Sequence, residues 1–201
     1  EGLGDLTLIL GGVRSGKSRF AQELASELGG NDVLFVATAG AGDDEMSDRI
    51  KRHRESRPAS WKTLECGRDI GECLMQSAPL PKVILVDCLT LLVSNVMCER
   101  SQTEADLESM VESEVSSLLR VATEHPTQML IVSGEVGSGV VPDSAMGRRF
   151  RDLLGLANQR VAASSDATFL MVAGLALNAK QLATSVACAA QAVTPSEGSQ
   201  G

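Results

Sequence analysis

Aromatic residues are scarce in this chain of 201 residues, which has no tyrosine, one tryptophan and four phenylalanines. Proteins bind single-stranded nucleic acids largely by stacking bases on aromatic side chains and by pairing phosphates with basic residues. The formal net charge of -8 supplies no overall excess of basic residues for that purpose. The composition therefore argues against a nucleic-acid-binding protein.

Long apolar runs and closely spaced cysteine pairs are also missing. No stretch of about 18 apolar residues occurs, so the sequence predicts no membrane-spanning helix. The five cysteines are odd in number and no pair has C-x-x-C spacing, which indicates reduced thiols rather than a disulfide framework or a zinc site. The first residues lead directly into a predicted strand, so we expect no signal peptide and a cytoplasmic protein.

The most informative stretch that is present runs from Gly11 to Ser18 and has the pattern G-x4-G-K-[ST]. It follows a predicted strand at 6–10 and precedes a predicted helix at 17–28, which is the setting that this motif requires. The alternative is an ordinary loop that happens to contain glycine and serine. We expect a phosphate loop in which Lys17 reaches the β- and γ-phosphates and Ser18 binds Mg²⁺. The nucleotide-binding residues predicted here are Gly11, Gly12, Val13, Arg14, Ser15, Gly16, Lys17 and Ser18.

Apolar runs and amphipathic patterns alternate along the rest of the chain. Further strands are predicted at 33–37, 61–65, 83–87, 129–133 and 167–173. Of these, 61–65 is expected at a sheet edge, and 167–173 is expected to be the last strand. Helices are predicted at 68–77, 88–99, from a capping box at 101–104 to 124, and at 144–164. This order predicts an α/β fold of the P-loop NTPase type (RecA-like), with a mainly parallel sheet and helices on both faces. We expect one catalytic domain at 1–180 and an Ala- and Ser-rich, partly disordered tail at 181–201.

A carboxylate stands at the end of the predicted strand 83–87. Ligands of such sheets bind outside the carboxyl ends of the strands, so Asp87 is predicted to reach Mg²⁺ directly or through water. A helix N-cap is the alternative role for Asp87.

Residues 43–57 begin acidic and end basic, an order that complements a helix dipole, and Pro58 ends the predicted helix. Met46, Ile50 and His53 fall on one face of it. Charge pattern alone favours a solvated surface helix here. The other histidine, His125, precedes Pro126 and is predicted to end a helix.

Several segments together resemble the bifunctional adenosylcobinamide kinase / adenosylcobinamide-phosphate guanylyltransferases of cobalamin biosynthesis. The most specific are Arg49-Ile-Lys-Arg-His-Arg54 and Glu135-Val-Gly-Ser-Gly-Val-Val-Pro142. The similarity extends in order from residue 6 to about residue 180. The other matching segments are 11–18, 43–46, 57–58, 61–65, 86–90, 150–152 and 158–160.

The resemblance implies two reactions on one fold. The first transfers a phosphoryl group from ATP or GTP to adenosylcobinamide, and the second transfers GMP from GTP to adenosylcobinamide phosphate through a GMP–histidine intermediate. The family histidine falls on His53, so the implied catalytic residues are His53 and Lys17, and this replaces the surface-helix interpretation of 43–57. The resemblance also implies a homo-oligomer, in the form of a trimer. Family positions that contact the nucleotide fall on Thr38, Ala39, Gly40, Arg54, Glu55, Ser56, Arg57, Glu65 and Asp87.

Two other functions are weighed against this one. The first is a P-loop small-molecule kinase with a single activity, which His53 and its neighbouring arginines disfavour. The second is a non-catalytic GTP-binding regulatory protein, which usually carries an [NT]-K-x-D motif for guanine that this chain lacks. The phosphate loop alone does not separate the three.

Overall fold

The computed structural model describes residues 4–39, 58–98 and 103–193. Within them one seven-stranded sheet has the strand order β3-β2-β4-β5-β1-β6-β7. All neighbouring strands are parallel except β6 and β7, which are antiparallel. The strands are β1 (Leu6–Gly11), β2 (Val33–Ala37), β3 (Lys62–Glu65), β4 (Val83–Asp87), β5 (Gln128–Gly134), β6 (Ala167–Val172) and β7 (Leu175–Asn178).

Helices cover both faces of this sheet, and alternate residues of the central strands enter separate apolar clusters. In β1, Leu8 packs with the cluster under the helices that begin at Ile70, Leu89, Glu104 and Ala145, whereas Ile9 packs with the cluster under the helix that begins at Lys17. A central strand buried on both faces reads as a continuous apolar run, which is why the sequence pattern located β1, β2 and β4 closely. The described helices are α1 (Lys17–Gly29), α2 (Ile70–Gln76), α3 (Leu89–Met97), α4 (Glu104–Glu124), α5 (Ala145–Ser164), α6 (Ala179–Leu182) and α7 (Val186–Val193).

The predicted α/β fold with a mainly parallel sheet is confirmed, including the edge position of β3. His125 follows the last residue of α4 at its C-cap, as predicted. The predicted helix at 43–57 and the last residues of the tail lie outside the described residues. None of the helices described is long and apolar enough to cross a membrane.

The capping box of α4 lies two residues beyond the predicted one. Thr103 Oγ1 accepts a hydrogen bond from Asp106 N, and Asp106 Oδ2 accepts one from Thr103 N at 3.0 Å. Hydrogen bonding by Thr103 lowers the pKa of the Asp106 carboxyl. The prediction at 101–104 was wrong because two overlapping S/T-x-x-D/E spacings occur, and spacing alone does not choose between them.

The prediction that 167–173 is the last strand was also wrong. Ala173 and Gly174 form a two-residue connection between the paired residues Val172 and Leu175, and the chain returns as β7. Both connecting residues have positive φ, 50° and 85°, which is the sign pattern of a type I′ turn. Alanine is a rare residue at such a position, so the sequence carried a weak turn signal.

The prediction of reduced cysteines fails for one pair. Cys66 and Cys73 form a disulfide bond, with their Cα atoms 6.8 Å apart. The first turn of α2 folds back over the end of β3, which brings together two residues seven positions apart. Cys88, Cys98 and Cys188 are free thiols.

The β6–β7 turn gives a stability prediction. Replacing Ala173, whose φ is 50°, by Asn should raise the free energy of unfolding by about 1 kcal/mol, because Asn tolerates the left-handed conformation that Ala adopts at a cost. Urea denaturation of Ala173→Asn measures this change. The exposed Ala183, whose φ is −69°, provides the control variant Ala183→Asn. An unchanged or lower midpoint for Ala173→Asn alone would contradict the prediction.

Candidate active site

The predicted phosphate loop connects β1 to α1 in an open conformation suited to an anion. Gly16, at the N-cap of α1, has a φ of 98°, and Arg14 has a φ of 56°. These left-handed residues turn successive backbone N–H groups toward one concavity. Val13 at the tip is 87% exposed, and a Cβ added at Gly12 would meet no atom within 4 Å. The loop therefore has open space next to the N-terminus of α1, where phosphate groups bind.

Lys17 is already turned toward this loop. Its ammonium donates a 2.7 Å hydrogen bond to the carbonyl of Gly12, so the side chain crosses the loop from the first turn of α1. Ser18 is the next residue of the same helix and is partly exposed. The hydroxyl of Ser15, by contrast, is buried and has no hydrogen-bond partner. The loop thus has a cation held across its backbone, and Ser18 lies in the first turn of the helix that follows.

The end of β5 holds the start of the phosphate loop in place. Gly11 pairs with Gly134 at the carboxyl ends of their strands, and Glu135 N donates to the Gly11 carbonyl at 3.0 Å. Gly134 is itself held from two helices. Its N–H donates to Thr90 Oγ1 of α3, and its carbonyl accepts from Asn158 Nδ2 of α5 at 3.0 Å.

The unpredicted β6–β7 turn supports the loop from the other side. Gly174 N donates to the Ser15 carbonyl at 2.9 Å. A Cβ added at Gly16 would lie 3.2 Å from Gly174 Cα, so the two backbones approach closely. Sequence reasoning missed Gly174, and a glycine at the end of an apolar run is the signal that was available.

Asp87 ends β4 at the same edge of the sheet. It pairs with Ala37 of β2 and Val132 of β5, and two strand spacings of roughly 5 Å separate β4 from β1. Its carbonyl accepts a hydrogen bond from Thr38 N at 3.2 Å. The partly buried carboxylate thus stands on the same sheet edge as the phosphate loop, as predicted.

Thr38 is buried and tightly bound to the residue that follows Asp87. Its hydroxyl donates to the Cys88 carbonyl at 2.8 Å and accepts from Cys88 N at 2.7 Å. Burial, and then the negative charge of Asp87, raise the pKa of the Cys88 thiol to about 11. Cys88 is therefore a neutral thiol at physiological pH and a poor nucleophile.

The remaining predicted residues fall into two groups. In the first group, Ala39 follows Thr38, and the exposed Glu65 ends β3 at the same sheet edge, where it pairs with Ala37. The other predicted residues, Gly40, His53, Arg54, Glu55, Ser56 and Arg57, lie outside the described residues.

Two buried polar atoms near the start of the phosphate loop have no hydrogen-bond partner. Ser133 Oγ is fully buried and unpaired one residue before Gly134, and Asn158 Oδ1 is unpaired although its Nδ2 is bonded. Buried polar atoms in proteins generally bind a partner.

Comparison with known proteins identifies the family to which this chain belongs. Residues 7–179 match the family described as cobinamide kinase / cobinamide phosphate guanyltransferase, CobU. The chain belongs to the CobU family. It is 35% identical over 182 residues to the bifunctional adenosylcobalamin biosynthesis protein CobU of Salmonella typhimurium, covering 87% of this chain and 99% of that protein. It is 41% identical over 174 residues to CobP of Pseudomonas aeruginosa, covering 86% and 96%.

Membership confirms the predicted function at the level of the reactions. The chain is a P-loop, bifunctional cobinamide kinase and cobinamide-phosphate guanylyltransferase of cobalamin biosynthesis. The kinase-only and regulatory alternatives are set aside, because a CobU family member carries both transferase activities. Thr90 and Asn158 belong to the segments that carried the resemblance, so their positions were marked in the sequence although their roles were not.

The geometry of the loop gives a prediction for Lys17. Lys17→Ala should abolish kinase activity and weaken triphosphate binding about 10- to 100-fold, because a charge-assisted hydrogen bond contributes roughly 1.5–3 kcal/mol. Calorimetric titration with a non-hydrolysable triphosphate measures the affinity. Lys82→Ala is the matched control, because Lys82 is exposed next to the amino end of β4. Near-normal binding by Lys17→Ala would remove this residue from the mechanism.

Proposed function

We propose that this enzyme carries out both reactions at the carboxyl edge of its sheet, with Lys17 and His53 as its catalytic residues. The observation that carries the proposal is the placement of an open phosphate loop and Asp87 on one sheet edge of a CobU family chain. The substrates are adenosylcobinamide, its phosphate, and ATP or GTP. The proposed catalytic domain spans 1–180, followed by a tail at 181–201, in a cytoplasmic homo-oligomer, with a trimer as the expected form.

In the kinase reaction, we propose that the phosphate loop orients the triphosphate and Lys17 binds its β- and γ-phosphates. The acceptor hydroxyl of adenosylcobinamide attacks the γ-phosphorus, the bond from the γ-phosphorus to the bridging oxygen breaks, and a nucleoside diphosphate leaves. Such a transfer depends mainly on positioning and on stabilisation of charge on the phosphoryl oxygens. The hydrogen bond from Lys17 to Gly12 supports this role, since it already holds the cation across the loop.

The residues present fit a magnesium ion. Ser18 and Asp87 supply a hydroxyl and a carboxylate, the oxygen ligands that Mg²⁺ prefers, and the ion usually takes its other ligands from phosphates and water. No cluster of three or more His, Cys, Asp or Glu side chains suited to a metal occurs in the described part of the chain, which agrees with a site completed by the nucleotide. When bound, Mg²⁺ would neutralise charge on the phosphates.

In the guanylyl reaction, we propose that an imidazole nitrogen of His53 attacks the α-phosphorus of GTP. A P–N bond forms, the bond from the α-phosphorus to the bridging oxygen breaks, and pyrophosphate leaves. A phosphate oxygen of adenosylcobinamide phosphate then attacks the same phosphorus, and the imidazole leaves. Imidazole suits both steps, because its ordinary pKa of about 6.5 keeps it largely neutral at pH 7. The partly buried thiol of Cys88, with its raised pKa, is a poor competitor for this role.

The nucleotide contacts at the β2 end are proposed to come from backbone groups rather than from the Thr38 hydroxyl. That hydroxyl already makes two hydrogen bonds to the backbone of Cys88. We therefore assign the contact to Ala39 and Gly40, with Glu65 at the end of β3 and the residues Arg54, Glu55, Ser56 and Arg57 completing the set.

The proposed metal ligands give a second prediction for this site. Asp87→Asn should weaken Mn²⁺ binding to the enzyme–triphosphate complex about tenfold or more, because one carboxylate charge is lost next to the cation. Electron paramagnetic resonance of Mn²⁺ measures the bound fraction. Asp5→Asn, an exposed carboxylate next to the amino end of β1, should bind Mn²⁺ as the unmodified enzyme does. Equal Mn²⁺ affinity for Asp87→Asn would leave Asp87 with a structural role only.

The histidine assignment has its own experiment. His53→Ala should retain kinase activity but form no covalent adduct with α-³²P-labelled GTP, because the methyl group of alanine has no lone pair with which to attack the α-phosphorus. Denaturing gels measure the label, which should be lost in mild acid and retained in alkali. His125→Ala, at the C-cap of α4, should label normally. Acid-labile labelling of His53→Ala would place the nucleophile elsewhere.

A further inference from the structure

Asn95 lies on α3 and joins the ends of two strands that lead to proposed nucleotide contacts. Its side-chain Nδ2 donates one hydrogen bond to the Thr38 carbonyl at 2.9 Å and another to the Gly67 carbonyl at 3.0 Å. Thr38 directly follows β2, and Gly67 lies two residues beyond Glu65 at the end of β3. Both hydrogens of one amide are thus used to connect two separate loops.

These two loops diverge immediately beyond the sheet. Among the described residues, the last backbone bond between them is from Cys66 N to the Ala37 carbonyl at 3.0 Å. Thr38 then turns toward β4, where its N–H and hydroxyl bind the backbone of Asp87 and Cys88. Residues 4–39 and 58–98 show no further ladder bond between the loops beyond this point, so the distance between these described parts depends on the Asn95 side chain that spans them.

The loop after β3 turns instead toward α4. Arg68 Nε and Asp69 N both donate to Glu114 Oε1 at 2.8 Å, and Glu114 is only 5% exposed. The two loops are therefore anchored to different helices and strands, and Asn95 makes the contact between them.

The packing around Asn95 leaves little room for adjustment. A Cβ added at Gly67 would lie 3.1 Å from Asn95 Nδ2 and 3.7 Å from the Thr38 carbonyl oxygen. A methyl group there would push the amide away from one or both of its acceptors. The absence of a side chain at Gly67 is thus part of the same contact.

We infer that Asn95 is a positioning residue for guanylyl transfer, acting through the separation of the Thr38 and Gly67 loops rather than through contact with the substrate. The inference rests on the proposed function, which assigns nucleotide contacts to Ala39 and Gly40 after β2 and to Glu65 at the end of β3. Guanylyl transfer needs the nucleotide held at these contacts while its α-phosphate is attacked. At saturating nucleotide, the kinase reaction depends instead on the phosphate loop. Neither of the two Nδ2 hydrogen bonds of Asn95 reaches that loop.

The experiment compares two variants that disturb this contact from opposite sides. Asn95→Leu removes both hydrogen bonds while keeping the same branched arrangement of side-chain heavy atoms, and Gly67→Ala displaces the amide without removing it. The readouts are the single-turnover rate of His53 labelling by α-³²P-labelled GTP at saturation, the KM for GTP, the kinase kcat, and the melting temperature. Two controls accompany them. Thr127→Val removes a buried 2.7 Å bond to the Pro81 carbonyl at the opposite sheet edge, and Gly155→Ala adds a methyl group where no atom lies within 4 Å.

We expect Asn95→Leu to lower the labelling rate by about tenfold or more, as displacements near 1 Å do, while the kinase kcat changes by less than about twofold. Gly67→Ala should show a smaller loss in the same direction, and both controls should label at the unmodified rate. The inference is overturned if Asn95→Leu and Gly67→Ala label normally, or if both activities fall together as in a variant that is merely unstable. Failure of the unmodified enzyme to label would instead refute the proposed GMP–histidine step itself.

Discussion

The parallel pairing of β1 with β5 is the constraint on which the site depends. It places Gly11 beside Gly134, and the Glu135 N–H then binds the Gly11 carbonyl where the phosphate loop begins. Parallel strands bring their carboxyl ends to one edge, so the same pairing pattern also carries Asp87 and Ala37 to that edge. A change of register by one residue would turn every buried side chain of β5 to the opposite face. The position of the loop is therefore coupled to the packing of the whole core.

Polar side chains from the helices complete the hydrogen bonding where the sheet ends. Thr90 and Asn158 bind Gly134, and Asn95 binds the carbonyls after β2 and β3. Backbone groups beyond the last ladder bond need new partners when they are buried, and short amide and hydroxyl side chains provide them. The same side chains hold in place the loops that contact substrate in the proposed function. At this edge, the same side chains therefore complete the backbone hydrogen bonding and position the loops of the site.

The sequence predicted the central elements well and the periphery less well. Continuous apolar runs located β2 and β4 at their observed bounds, because burial on both faces leaves a strong pattern. The β6–β7 turn escaped prediction, since Ala173 is an unusual residue for a positive φ. The Cys66–Cys73 pair escaped for a different reason, because their proximity arises from the path of the chain between β3 and α2. Local sequence patterns do not indicate where the chain folds back on itself in this way.

The sequence itself determined the phosphate loop, the order of the described strands and helices from β1 to β6, and the CobU resemblance. Each depends on residues that are close together along the chain, which form a glycine-rich loop, an apolar periodicity or a set of short motifs. Only the tertiary structure decided two sets of hydrogen bonds, namely the bond of Gly174 to Ser15 and the bonds of Asn95 to Thr38 and Gly67. These contacts join segments that are distant in sequence, and their geometry depends on how strands pair and how helices pack over them. Hydrogen bonds of this kind have no periodicity and no fixed spacing, so only the folded chain reveals them.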